Sequence, residues 1–333
     1  MRTGTTVRTA ALGAATLMML TACGGQETGS NGTSAEDAQL TLVTGVYPLE
    51  WLATEIGGDR VAVSQLTEPG AEPHDLELTG RQIGEVSQAD IAFYVPGLQP
   101  AVDEAVEQEA SGNALDVSET VDLLPAEETQ GGDDHDHGHD HGDEGHDHGD
   151  ESGDEGHDHG PDDPHFWLDT ERMDEVATAL AERMGEVDPE GADSYEANAE
   201  QASQTLTAID EEYEQNLASC DQRDVVVGHT AFTYLTEAHG LEQVGLSGVD
   251  PDTEPSPAQI AEISDIVEER DIDTIFTEPL MPAGTTDTIA GETGAEVEVL
   301  DPLEGVTEDS PGDDYPSIMR GNLETLTGAL GCD

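Results

Sequence analysis

Residues 225–235, Val-Val-Val-Gly-His-Thr-Ala-Phe-Thr-Tyr-Leu, read as an apolar strand, a turn at Gly228-His229 and the opening of a helix. A run of β-branched residues suits a strand of a parallel sheet with helices on both faces. A titratable side chain just past such a strand stands where α/β proteins usually place their chemistry. This stretch selects a fold class and offers a first functional residue.

The same rhythm extends to both sides. Downstream, Ala231–Ala238 reads as a helix, 244–248 as a short strand and Pro257–Glu269 as a helix opened by Ser256. Thr274–Phe276 reads as a strand, Thr285–Thr293 as a helix, Val297–Leu300 as a strand and Tyr315–Leu330 as a closing helix. In the first half, strands are expected at Leu40–Val46, Val61–Leu66 and Ile91–Val95, with helices at Trp51–Ile56, Arg81–Ala89 and Pro100–Gln108. Repeated βαβ alternation predicts α/β architecture: two lobes, each a mostly parallel sheet flanked by helices.

Between these halves, Pro189–Leu217 carries no internal proline, and Tyr195, Ala199, Ala202, Leu206, Ile209, Tyr213 and Leu217 recur at helical spacing. Such a helix is about 40 Å long, enough to join two lobes. The expected organisation is an N-terminal lobe over 40–188, a linking helix over 189–219 and a C-terminal lobe over 220–333.

Two segments stand apart. Residues 1–22 have the arginines, short apolar run and Leu20-Thr21-Ala22-Cys23 ending of a bacterial lipoprotein signal, with Cys23 the lipidated residue and 23–39 a flexible tether. The expected location is outside the cytoplasm, anchored to the outer face of the cell membrane. In that oxidising compartment Cys220 and Cys332 form an even pair that a disulfide would join, with two buried free thiols the alternative. The second segment, 127–163, holds sixteen acids, two copies of Gly-Asp-Glu-Gly-His-Asp-His-Gly and no aliphatic or aromatic residue. It is expected to be disordered without metal. Its histidines are His135, His137, His139, His141, His146, His148, His157 and His159. They offer loose capture of Zn²⁺-like cations, with no fixed geometry.

The whole chain has 333 residues, 76 Asp+Glu and 9 Lys+Arg, for a net charge of −67. All nine cations are Arg. No basic surface exists to neutralise phosphates, so nucleic-acid binding and polybasic adhesion to anionic lipid are excluded. The acids outside the His-rich segment read as solvation, as in proteins working at high salt.

Outside that segment only four histidines remain. His74, in Pro73-His74-Asp75, follows the 61–66 strand. His165 lies in Asp163-Pro164-His165-Phe166-Trp167-Leu168-Asp169, before a helix, and His229 follows the 225–227 strand. All three are expected at strand ends, with Asp301 a carboxylate candidate at the end of strand 297–300. His239, beside Gly240, reads as a capping or surface histidine at a helix C-terminus. Three imidazoles and one carboxylate form an N₃O set suited to tetrahedral Zn²⁺.

In order and context, these motifs resemble those of the zinc-binding solute-binding lipoproteins of ABC importers, a cluster that also includes manganese binders. The resemblance covers residues 40–331 and rests on Pro73-His74-Asp75, the His-rich segment and the 163–169 motif. It continues through Asp188-Pro189, Gly228-His229-Thr230-Ala231-Phe232, Glu254-Pro255-Ser256-Pro257, Phe276-Thr277-Glu278-Pro279 and Leu300-Asp301-Pro302-Leu303. It implies two α/β lobes joined by a rigid helix, with the metal buried between them and His74, His165, His229 and Asp301 as ligands. Manganese binders of this family carry a carboxylate at the third position, so His229 implies zinc. Some zinc members have Glu before the first His, where this chain has Pro73. That leaves Asp301 as fourth ligand, with Glu278 or water as alternatives. Asp169, Glu278 and Trp167 are expected in supporting positions around the ligands.

The function this implies is extracytoplasmic Zn²⁺ binding and delivery to an ABC importer permease by a monomer. A lipid-anchored metal-buffering protein or adhesin, or a receptor for Mn²⁺ or another divalent metal, are the alternatives. A zinc hydrolase is disfavoured, since the chain has no His-Glu-x-x-His pair and a fourth protein ligand closes the site.

Overall fold

A computed structural model describes residues 1, 38–126, 162–251 and 255–332. The leader, most of the tether with Cys23, and the eight histidines of the His-rich segment lie outside the described residues.

The N-terminal half begins with β1 (Leu40–Thr44), α1 (Tyr47–Gly57), β2 (Val61–Gln65), α2 (Gly80–Gln88), β3 (Ile91–Tyr94), α3 (Pro100–Ala105) and β4 (Ala114–Asp116). The four strands form one parallel sheet in the order β2-β1-β3-β4. Parallel strands need crossovers, and each crossover helix seals a face of the sheet. On one face Leu40, Leu42, Ile91 and Phe93 join Leu49, Leu52 and Ile56 of α1 in the main core. On the other, Val43 and Ala92 pack with Val86 of α2 and Val102 of α3. Alternate residues of the central strands thus serve two cores, as the two-residue period of a strand requires.

After the His-rich segment come α4 (Thr170–Val187) and α5 (Ala192–Leu217). With 26 residues, α5 is about 39 Å long. Its buried residues are Tyr195, Ala199, Ala202, Leu206, Ile209, Tyr213 and Leu217, the stripe expected from periodicity. The helix starts at Ala192, not Pro189, because 189–191 form the turn that separates it from α4. That stripe packs on α1 and α4 and also on α9 (Tyr315–Ala329) of the C-terminal half. Tyr213 Oη donates to Met319 O at 2.6 Å inside α9.

The C-terminal half holds β5 (Asp224–His229), α6 (Thr233–His239), β6 (Glu242–Ser247), α7 (Pro257–Glu269), β7 (Thr274–Thr277), α8 (Gly284–Thr293), β8 (Glu296–Val299) and α9 (Tyr315–Ala329). Its strands pair as two parallel ladders, β5–β6 and β7–β8, with β5 beside β7. Helices are closed at their N-termini by side chains that accept the free amides. Thr79, Ser256 and Asp314 form capping boxes before α2, α7 and α9. Cys220, after α5, is disulfide-bonded to Cys332, after α9.

The described residues from 38 to 332 form one compact unit, and the main core draws on both halves. One expectation is corrected at its edge. Asp162 and Asp163, assigned to a disordered segment, are ordered: Asp162 pairs with Pro125, and Asp163 is fully buried. A buried carboxylate must have a specific partner, and that partner is His165.

Candidate metal centre

His74 sits in the loop that follows β2 and is 4% exposed. Its turn is closed by Leu76 N–H donating to Pro73 O at 3.2 Å. Glu72 accepts from the amides of His74 and Asp75 at 3.1 and 3.2 Å.

His165 precedes a single 3-10 turn, Phe166–Leu168, that leads into α4. It is not at a strand end, as expected from sequence: a bridge and a turn deliver it. Asp163 Oδ1 holds it twice, accepting from its backbone N–H at 2.9 Å and lying 2.7 Å from its Nδ1. Trp167 stands beside its ring and donates through Nε1 to Pro302 O at 2.8 Å, so the N-terminal ligand loop is tied to the C-terminal half.

His229 is the last residue of β5. Glu278, just after β7, accepts from its backbone N–H at 3.0 Å and places Oε2 2.6 Å from its Nδ1. Gly228 before it leaves the room that Glu278 occupies: a Cβ there would lie 2.7 Å from Glu278 Oε1 and push the carboxylate aside.

The fourth side chain is Glu304, not Asp301. The structure brings His74, His165, His229 and Glu304 together, all buried, with one ligand atom from each within 4.8 Å of the others. Glu304 Oε1 lies 2.9 Å from His74 Nε2, 3.0 Å from His165 Nε2 and 3.3 Å from His229 Nε2. Asp301 instead builds the turn that aims Glu304. Its Oδ1 accepts from Leu303 N–H at 2.8 Å, and its backbone pairs both ways with the Asn322 amide. Leu303 adopts φ +62°, which reverses the chain and points residue 304 inward.

The charges are consistent with a cage for a cation. Burial works to raise the Glu304 carboxyl, but His74, His229 and the hydrogen bond from His165 hold it well below the usual range. Burial lowers the His229 imidazole, yet Glu278 and Glu304 outweigh it and raise the group well above its ordinary value. His165 is raised in the same way against burial, by Asp163 and then Glu304. Asp301 is pushed up to about 6, chiefly by burial.

The arrangement fits a tetrahedral ion. Carboxylates against Nδ1 of His165 and His229 leave each Nε2 facing the centre, where it would give up its proton and offer an ion its lone pair, the usual support for metal-bound imidazole. A tetrahedral Zn²⁺ with bonds of about 2.0–2.1 Å requires ligand atoms about 3.3–3.4 Å apart. The three N–O separations fall at or slightly inside that edge, and all four ligand atoms lie within 4.8 Å of one another, so small side-chain shifts would close the set on a cation.

Other expected residues fall elsewhere. Asp169 caps α4, accepting from the amides of Glu171 and Arg172 and pairing with the Arg172 guanidinium, and touches no ligand. Asp163 fills the supporting role instead. Being adjacent to an acidic low-complexity run hid it, although its place two residues before His165 was the available signal. His239 ends α6 and stacks near Tyr213, with ring centroids 5.1 Å apart. It stands at the helix C-terminus as expected, partly buried, and burial lowers its pKa, which weakens the charge it would bring there.

The chain is similar to known proteins along most of its length. The chain matches the family described as "ZnuA: Zinc-uptake complex component A periplasmic" over residues 42–329. It is 31% identical over 321 residues to the zinc-binding lipoprotein AdcA of Streptococcus pneumoniae serotype 4, covering 93% of this chain and 58% of AdcA. It thus spans little more than half the length of that relative. It is also 31% identical over 322 residues to the high-affinity zinc uptake system protein ZnuA of Bacillus subtilis, covering 95% of each. Among solved structures, the laminin binding protein Lmb of Streptococcus agalactiae superposes with a TM-score of 0.72 at 28% identity, covering 87% of this chain and 99% of Lmb. Its description is of a bifunctional protein with adhesin and metal transporting activity. A match that runs from within β1 to the last turn of α9 makes this chain a member of the ZnuA family, zinc-uptake complex component A, periplasmic.

Proposed function

We propose that this protein binds Zn²⁺ outside the cytoplasm through His74, His165, His229 and Glu304 and hands it to the permease of an ABC importer. The observation that carries the reading is the convergence of three Nε2 atoms and one carboxylate oxygen in a buried cage drawn from both halves of the chain. Two ligands come from the N-terminal half and two from the C-terminal half, so a small separation of the halves dismantles the site. Docking on a permease would supply that separation, with α5 as the stiff link between lobes over 40–188 and 220–333. Anchoring through Cys23 and a monomeric state belong to the same reading, as does loose metal capture by the His-rich segment.

Binding, not catalysis, suits the ligand count. Four protein ligands complete a tetrahedral shell, whereas hydrolytic zinc keeps one position for water. Zinc is favoured over manganese because three imidazoles outnumber the single carboxylate, and Mn²⁺ prefers oxygen. Competitive chelator titration of Zn²⁺ against Mn²⁺ tests this. The wild-type chain should hold one Zn²⁺ far more tightly than Mn²⁺, and His74→Ala or His229→Ala should weaken zinc at that site by at least about 100-fold, to a residual affinity that can still be measured. Retention of tight one-to-one zinc by either variant would sink the reading.

A further inference from the structure

The ends of three neighbouring strands converge on the carbonyl that precedes His74. Gly45 follows β1, Thr67 follows β2 and Gln99 follows β3 at the start of α3. Gln99 is 3% exposed and Thr67 is 2% exposed. The Gln99 amide nitrogen donates to Pro73 O at 2.9 Å and to Thr67 Oγ1 at 2.9 Å, with Gly45 O at 3.3 Å. Thr67 Oγ1 in turn donates to Gly45 O at 2.6 Å.

This network has one sense. A hydroxyl that gives its hydrogen to Gly45 O must accept from Gln99, so the amide faces Pro73 with its nitrogen. Its base is fixed as well, since Gln99 O accepts from Val102 N–H and Asp103 N–H at the first turn of α3. Glycine at 45 is required by the same packing: a Cβ there would stand 1.9 Å from Gln99 Oε1. Buried polar side chains of this kind are costly unless fully paired, and here the pairing reaches out to a ligand loop and not only within the core.

We infer that Gln99 is a positioning residue for zinc, which holds Pro73 O so that His74 Nε2 is aimed at Glu304 before the ion arrives. Pro73 itself has no N–H and cannot anchor the turn from its own amide. Leu76 N–H and the Glu72 carboxylate close the turn on itself, and the Gln99 nitrogen adds the tie that fixes it to the sheet. Without it, the imidazole of His74 samples orientations that must be restricted on binding, and affinity falls.

The inference rests on the four-ligand reading, and a double-mutant cycle separates the two. Zinc affinity is measured by chelator competition for the full chain, Gln99→Met, His74→Ala and the double variant. Gln99→Met keeps the volume and removes the donors. It should weaken zinc by about 10- to 100-fold in the wild-type background. In the His74→Ala background it should weaken zinc no further, because its effect runs through that imidazole. If Gln99→Met leaves affinity within about twofold, or costs as much in both backgrounds, the positioning role is wrong. If His74→Ala itself binds zinc like the wild type, the ligand assignment fails instead. Should Gln99→Met not fold by circular dichroism, Thr67→Val interrupts the same chain. A loss confined to the His74-containing background supports the role, and no loss overturns it.

Discussion

Glu304 Oε1 stands 2.9 Å from His74 Nε2, across 230 positions of sequence and from the opposite half of the chain. That contact makes the carboxylate a direct candidate ligand and gives Asp301 a different task. Glu304→Gln, which keeps the shape and removes the charge, is expected to lower zinc affinity by at least about 100-fold. Asp301→Asn, which disturbs only the turn, should cost clearly less. Chelator competition on the two variants reads both. A larger loss at Asp301 would reverse the assignment.

Asp163 is expected to act through His165. Its Oδ1 fixes Nδ1 of that ring at 2.7 Å, so Asp163→Asn should weaken zinc by about 10- to 100-fold. Far-ultraviolet circular dichroism should stay that of the wild type. Asp169→Asn, which changes a helix cap away from the site, should leave zinc affinity within about twofold and lower the thermal midpoint instead.

Acidity should affect the zinc-free and zinc-loaded protein in opposite ways. In the zinc-free state His165 and His229 are raised above the ordinary imidazole value of about 6.5. Their contribution to stability is complete below that value and is lost as pH rises through their folded values. Glu304, held low, contributes above the ordinary carboxylate range and loses this as pH falls toward its depressed value. Zinc displaces the imidazole protons, so affinity should climb with pH by up to about tenfold per unit for each proton released. The gain in thermal midpoint on adding zinc should therefore be larger at about pH 8 than at about pH 5.5. A gain independent of pH would contradict the cage.

The disulfide between Cys220 and Cys332 spans 112 positions and closes the C-terminal half on itself. In the chain-entropy picture a loop of that length contributes roughly 4–5 kcal/mol to folding. Reduction should lower the thermal midpoint markedly while the folded protein still binds one zinc, as read by calorimetry with and without reductant.

Much of the fold was legible because its signals are periodic. The α5 stripe from Tyr195 to Leu217 and the apolar run at 225–227 both mark their elements directly. Three of the four gathered side chains were legible too, since few histidines stand outside the His-rich segment. The fourth was not. Leu300-Asp301-Pro302-Leu303-Glu304 carries two carboxylates, and the choice between them depends on a positive φ at Leu303, which an apolar residue does not announce. Asp169 is expected from sequence beside the histidines and Asp163 in the disordered segment for a similar reason. Both flank the same motif, and only the three-dimensional turn shows which faces the imidazole and which faces the helix. The Gln99 anchor was hidden because its partners are carbonyls and a hydroxyl from three strand ends, with no motif in common.

The central claim is a four-coordinate N₃O zinc site. X-ray absorption at the zinc edge, on the full chain loaded with one equivalent of Zn²⁺, tests it most directly. Four nitrogen or oxygen neighbours at about 2.0–2.1 Å, with the outer-shell scattering of three imidazoles, are predicted. Five or six neighbours, a sulfur neighbour, or scattering from fewer than three imidazoles would contradict it.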